Sequence, residues 1–211
     1  MSISGKFISL EGSEGSGKST QIDRLVRHLE RAGGTTLVLR EPGGTEIGEE
    51  IRHLLLHHAR NGAMTAETEL LLFTASRAQL VRERIQPALQ AGQVVVCDRF
   101  LDSTTVYQGA ARRLAAAAVG TINQFAVGGL LPDLTLVLDV PVEVSLARLQ
   151  QRAGGQRDRI EREDAAFFTR VRDGYLALAQ AEPRRCAVVD ATGSADRIEQ
   201  DIWRTVRERL A

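Results

Sequence analysis

The sequence predicts an α/β fold built on a parallel sheet, and three observations predict it. Short apolar runs rich in β-branched residues, at 6–10, 35–39, 94–97, 134–140 and 186–189, lack a period-two alternation, as strands buried on both faces do. Helical patterns fill the gaps, at 19–32, 46–57, 67–90, 142–152, 164–180 and 195–210. Strand, helix and strand then alternate along the chain, which calls for parallel pairing with right-handed crossovers.

Length and composition narrow the class. The 211 residues suit one domain spanning 1–211, and no repeat, low-complexity tract or linker divides them. Lys and Arg total 27 against 27 Asp and Glu, so no overall positive field is available to hold a nucleic-acid backbone. Lysine occurs only at Lys6 and Lys18, and nearly all other positive charge is arginine. Cys97 and Cys186 lie inside apolar runs with no zinc-ligand spacing, as expected in a reducing compartment. The N-terminus does not read as a secretory signal, and no apolar run approaches the ~20 residues of a membrane span. A cytoplasmic protein without membrane or nucleic-acid partners is expected.

The first strand runs into EGSEGSGKST, a G-x-x-x-x-G-K-S pattern that opens the first helix. Gly12, Gly15 and Gly17 let successive backbone N–H groups turn inward around phosphate oxygens, and Ser13, Glu14 and Ser16 complete the loop. The helix N-terminus adds the positive end of its dipole. In this pattern Lys18 reaches the β- and γ-phosphates of ATP, the Ser19 hydroxyl ligates Mg²⁺, and Thr20 continues the first turn. Residues 12–20 are therefore expected to bind ATP.

After the second strand, Arg40-Glu41-Pro42-Gly43-Gly44-Thr45 reads as a rigid turn, with Thr45 able to cap the helix that follows. Phe73 and Arg77 stand four apart on one helix face, a spacing that can stack a base and donate to its carbonyl edge but equally fits a core residue beside a surface one. The third strand ends in Asp98-Arg99. An acidic residue there can hold Mg²⁺, or it can cap the next helix while pairing with Arg99. Residues 104–129 read as further alanine-rich helix, and Gly154-Gly155 as a flexible loop among arginines.

The segments EGSEGSGKST, REPGGT, TELLLFTASRAQLV, CDRFLDSTTVYQG, LLPDLTLVLDVP and RDRIERED, in this order and spacing, resemble the bacterial thymidylate kinase family nearly end to end. The resemblance implies a P-loop three-layer fold with strand order 2-3-1-4-5, a mobile lid at 151–160, Mg²⁺ as cofactor, a homodimer packed through helices, and phosphoryl transfer from ATP to dTMP. It also implies residue roles. Phe73 stacks on thymine, Arg77 donates to the thymine O4, and Thr104 and Gln108 contact the base. Arg52 and Arg99 hold the dTMP phosphate, Tyr107 lies under the sugar, and Glu14 faces the nucleotide sugar or the metal. Arg152 and Arg159 of the lid serve the transfer, with Arg157 in reserve. Three features depart from the family pattern: Ala110-Ala111-Arg112-Arg113 replaces a more glycine-rich stretch, Phe100 replaces a Tyr or His, and the lid is slightly long.

A phosphate monoester acceptor needs no general base, because with a second pKa of ~6 it is already mostly a dianion at neutral pH. The difficulty is bringing two negative groups into line, which calls for Mg²⁺ and planar guanidinium donors. A nucleoside acceptor would instead need a carboxylate base, for which Glu11 and Glu41 are the candidates. A nucleotide-switch module is the rival of a different class, and no N-K-x-D-like guanine motif supports it.

Overall fold

The computed structural model describes residues 4–151 and 158–210. Strands β1 (Phe7–Glu11), β2 (Thr36–Arg40), β3 (Val94–Asp98), β4 (Leu134–Asp139) and β5 (Cys186–Asp190) form one parallel sheet in the order β2-β3-β1-β4-β5, as expected. The central strands β1, β3 and β4 are buried almost throughout, which explains their unbroken apolar composition. The outer strands β2 and β5 are only partly covered, and Val38 and Val188 reach solvent.

Helices α1 (Lys18–Arg31) and α9 (Ala195–Leu210) cover one face, packing Leu25, Leu29, Ile198 and Ile202 against Ile8 and Leu10 of β1. On the other face lie α2 (Glu46–Leu56), α3 (Ala66–Leu80), α6 (Ala116–Val127), α7 (Val142–Gln151) and α8 (Ala165–Ala181). Thr45 caps α2 by accepting from Gly48 N at 2.9 Å, as its sequence position predicts.

Two expected helices are interrupted. The 67–90 pattern passes from α3 through a π turn at Val81–Ile85 into the short α4 (Gln86–Gln90). Pro87 has no N–H to continue the regular ladder, and the widened turn accommodates it. The 104–129 pattern begins as α5 (Leu101–Thr104), runs into a π segment at Thr105–Ala111, breaks, and resumes as α6. At the break Arg113 has φ +62°, and the chain turns before re-entering helix.

β1 and β3 are neighbours whose connections leave toward opposite faces of the sheet, β1 into α1 and β3 into α5 and α6. The crevice beyond the carboxyl ends of these strands is where such folds hold ligands.

Candidate active site

The loop after β1 is shaped by its glycines. A Cβ on Gly12 (φ +135°) would fall 2.5 Å from the Leu138 carbonyl oxygen, and one on Gly15 (φ +74°) would fall 2.7 Å from that of Ser145. The backbone therefore lies tight against β4 and α7 and encloses a cradle that side chains would fill. No side chain caps α1, and its first turn holds no acidic residue, so its N–H groups remain for a ligand. Lys18 is buried, with Nζ donating to the carbonyls of Gly12 (3.1 Å) and Ser13 (3.0 Å). Burial, assisted by nearby Arg99, lowers its ammonium pKa to about 8. Ser19 and Thr20 are exposed at the mouth.

Asp98 and Arg99 end β3 facing this loop. Asp98 does not cap the next helix and does not pair with Arg99, and its buried Oδ1 has no protein partner. Arg99 holds a left-handed backbone, φ +70°, fixed by its N–H donating to Leu10 O at 3.0 Å. For a non-glycine residue that conformation costs about 1–2 kcal/mol, and here it aims the guanidinium across the crevice. Nη2 donates to Glu14 Oε1 at 2.7 Å, Nη1 donates to Tyr175 Oη at 3.1 Å and Ser103 Oγ at 3.2 Å, and the group stacks 5.0 Å from the Tyr107 ring centroid.

Two cavities share this junction. The larger, of about 740 Å³, is lined by Gly15, Lys18, Ser19, Thr20, Asp98 and Arg148. The smaller, a slot of about 100 Å³, is lined by Phe73, Ser103, Thr104, Tyr107, Gln108 and Ile160. Glu14, Glu41, Arg52, Arg99 and Asp158 line both. Arg52 donates to the Pro42 carbonyl at 2.9 Å, and burial together with Arg40 holds its pKa below the usual guanidinium value. Glu14 binds Arg99 through one oxygen and accepts from Tyr107 Oη at 2.7 Å through the other, so it aligns two residues of the junction.

The slot departs from expectation at Arg77. Phe73 is half-buried and lines the wall, but Arg77 is 1% exposed and lies behind it. Its Nε donates to Glu41 Oε2 (2.8 Å), Nη1 to Asn123 Oδ1 (2.8 Å), and Nη2 to Thr104 Oγ1 (2.9 Å) and the Phe100 carbonyl (3.3 Å). Four of its five N–H groups are thus taken by protein. Glu41 and Asn123, the buried partners that orient it, carry no local sequence signal, because they come from other elements.

Of the lid arginines, Arg159 is also placed differently. Arg152 and Arg157 lie outside the described residues. Arg159 does not face the loop of residues 12–20: it donates to the buried Glu69 carboxylate and, at 3.2 Å, to the Leu55 carbonyl. Capture by a buried carboxylate is the physical reason. Arg148 of α7, which the sequence reading missed, lines the larger cavity and donates to Gly15 O (3.4 Å) and Ala191 O (3.1 Å). Its only sequence signal is a basic residue in the last turn of a helix ahead of the lid.

Neither carboxylate considered as a base is free for that work. Glu11 is fully buried and accepts from Ser9, Phe100 N, Ser103 and Tyr175. Glu41 is tied to Arg77, yet burial outweighs that pairing and pushes its carboxyl up to about 7. A carboxyl raised above its ordinary 4.5 stabilises the fold fully below that value and loses the contribution as pH rises through about 7. Between pH 5 and 8 the wild type should therefore lose about 1–3 kcal/mol relative to Glu41→Gln. Urea unfolding of both proteins across this range checks it, and parallel curves would contradict it.

The oxygen donors at the loop suit a hard divalent cation. Asp98 Oδ1 is buried without a partner, and the Ser19 hydroxyl lines the same cavity. Among the described residues no group of three or more His, Cys, Asp or Glu is gathered. A cation that keeps waters and phosphate oxygens in its shell, as Mg²⁺ does, fits this set.

Comparison with known proteins agrees with this geometry. The sequence model described as thymidylate kinase matches residues 10–202. The chain is 50% identical over 204 residues to a thymidylate kinase of Symbiobacterium thermophilum, covering 97% of this chain and 94% of that one. It is 47% identical over 209 residues to one of Alcanivorax borkumensis, covering 99% of each. The crystal structure of thymidylate kinase from Ehrlichia chaffeensis superposes with a TM-score of 0.78 at 29% identity, covering 95% of this chain and 98% of that one.

Proposed function

The chain belongs to the thymidylate kinase family and transfers the γ-phosphoryl group of ATP to dTMP, giving dTDP and ADP toward dTTP; we propose that it does so where its two cavities meet. The observation that carries this reading is that Arg52 and Arg99 line both cavities. One cavity is walled by a phosphate-binding loop and the other by an aromatic ring. Two dianionic groups entering from opposite sides would meet between these guanidinium groups.

In this reading ATP lays its phosphates on residues 12–20, with Gly12, Ser13, Gly15, Ser16 and Gly17 supplying backbone donors and Lys18 leaving the loop carbonyls for the phosphates. Mg²⁺ held by Ser19 and Asp98 would neutralise charge on the donor phosphates. The base of dTMP stacks on Phe73, its edge meeting Thr104 and Gln108, while Arg77 acts on O4 from behind the wall through the Thr104 hydroxyl that it holds. Tyr107 lies under the sugar, where its ring leaves little room for a 2′-hydroxyl. Glu14 keeps Arg99 and Tyr107 in register beside the nucleotide. Arg148 supplies donor-side charge in the described geometry, and Arg152 adds to it from the lid. Arg159 joins them once it leaves Glu69. No carboxylate has to remove a proton, since the acceptor oxygen is already ionised.

A single domain and a homodimer complete the proposal. Ile47 and Leu54 on α2, Leu71 on α3 and Phe125 on α6 are exposed, Phe125 at 82%, on helices that pack side by side. A matching face of a second copy would cover them. Among the described residues no helix is long and apolar enough to cross a membrane. The buried free thiols Cys97 and Cys186 favour the cytoplasm.

With ATP and Mg²⁺, dTMP should yield dTDP and ADP in equal amounts, measured by a coupled assay with chromatography of the products. ADP formed without dTDP would contradict the proposal. dUMP, lacking one methyl group, should lose only about 1–3 kcal/mol of discrimination, and dCMP considerably more.

A further inference from the structure

α3 presents two buried charges of opposite sign to the slot, eight positions apart, and neither lines it. Arg77 occupies the Thr104 oxygen as an acceptor, which leaves the Thr104 hydroxyl to act as a donor. Glu69, 1% exposed, does the reverse to Gln108: its Oε1 accepts from Gln108 Nε2 at 2.6 Å. Arg112 and Arg159 also converge on Glu69, so its oxygens act only as acceptors. A carboxylate ringed by donors fixes which end of the Gln108 amide faces it, because the reversed amide would set oxygen against oxygen. Gln108 lines the slot, and its Oε1 receives no protein donor among the described residues.

We infer that Glu69 is a positioning residue for base selection, which turns the Gln108 carbonyl toward the slot and so demands a pyrimidine whose N3 carries a proton. This rests on reading the slot as the dTMP site. Thymine and uracil present an N3–H donor beside the O4 acceptor, matching Gln108 Oε1 and the Thr104 hydroxyl. Cytosine presents the inverse, an N3 acceptor beside an N4 donor, and meets like groups at both positions. An unpaired buried polar group is what makes such rejection strong. Arg77 alone, acting on O4 through the Thr104 hydroxyl, would leave N3 unread.

The experiment measures kcat/KM for dTMP, dUMP and dCMP in the wild type, Glu69→Gln, Arg112→Ala and Gln108→Leu. In Glu69→Gln the Gln108 amide is free to reverse, and the dTMP-to-dCMP ratio should fall on the order of tenfold or more while the dTMP-to-dUMP ratio stays constant. Arg112→Ala removes another partner of Glu69 but leaves the amide pinned, so its ratio should stay near that of the wild type. If Glu69→Gln does not fold, Glu69→Asp keeps the charge for the arginines but shortens the reach to Gln108, and carries the same expectation. A uniform loss for all three nucleotides, as from a purely structural role, would overturn the inference. An unchanged ratio in Gln108→Leu would instead remove the reading of the slot on which it rests.

Discussion

Lys18→Ala should lower kcat/KM for dTMP phosphorylation by about 10³-fold or more while leaving the protein folded. The size follows from placement: Lys18 is the single lysine in the crevice, buried at the base of the loop, where a charge directed at developing phosphate charge acts with little screening. The fold should tolerate the change. Burial lowers the Lys18 pKa from 10.5 to about 8, so the charged form is a burden on the ligand-free protein below pH 8, relieved only as pH rises toward 10.5. What the variant loses structurally are the hydrogen bonds to the Gly12 and Ser13 carbonyls, worth about 1 kcal/mol each. Steady-state kinetics with thermal melts at pH 7 separate the two effects. A variant that stays folded and turns over within a few-fold of wild type would contradict the role assigned to the loop.

Arg99→Ala should be nearly as damaging, about 10³-fold in kcat/KM, and should raise KM for dTMP as well as lowering kcat. Two losses combine. The guanidinium that lines both cavities disappears, and Glu14, 13% exposed at its side chain, is left as an uncompensated negative charge where two phosphates must meet. Arg99→Lys should recover little. A single ammonium cannot serve Glu14, Ser103 and Tyr175 while holding a phosphate. Alanine meets the same left-handed backbone as arginine, so the strain at φ +70° is common to both and does not confuse the comparison.

Much of this arrangement is legible along the chain wherever a local pattern carries it. The apolar runs located the strands to within a residue or so because β1, β3 and β4 are buried on both faces and tolerate little else. The loop of residues 12–20 is legible because phosphate binding demands glycines and a lysine at fixed spacing. Thr45 is legible because a cap is a contact between near neighbours. Contacts made across the fold were not. Arg77 and Phe73 share a helix spacing, but only the packing of Asn123, Glu41 and Thr104 around Arg77 shows that it lies behind the slot wall. Glu69 gathers Gln108 and Arg112 from one later part of the chain and Arg159 from another, and nothing near position 69 announces this. The π turns escaped because periodicity cannot distinguish a helix from one widened by a single residue.

The central claim is that donor and acceptor phosphates occupy one continuous space whose junction is held by Arg52 and Arg99. A single molecule joining adenosine to thymidine through a chain of five phosphates tests it directly, by calorimetry and by inhibition kinetics. It should compete with both ATP and dTMP, and its affinity should fall in Arg99→Ala far more than that of ATP alone. Competition with only one of the two substrates, or binding indifferent to Arg99, would show that the cavities do not meet where the two arginines stand.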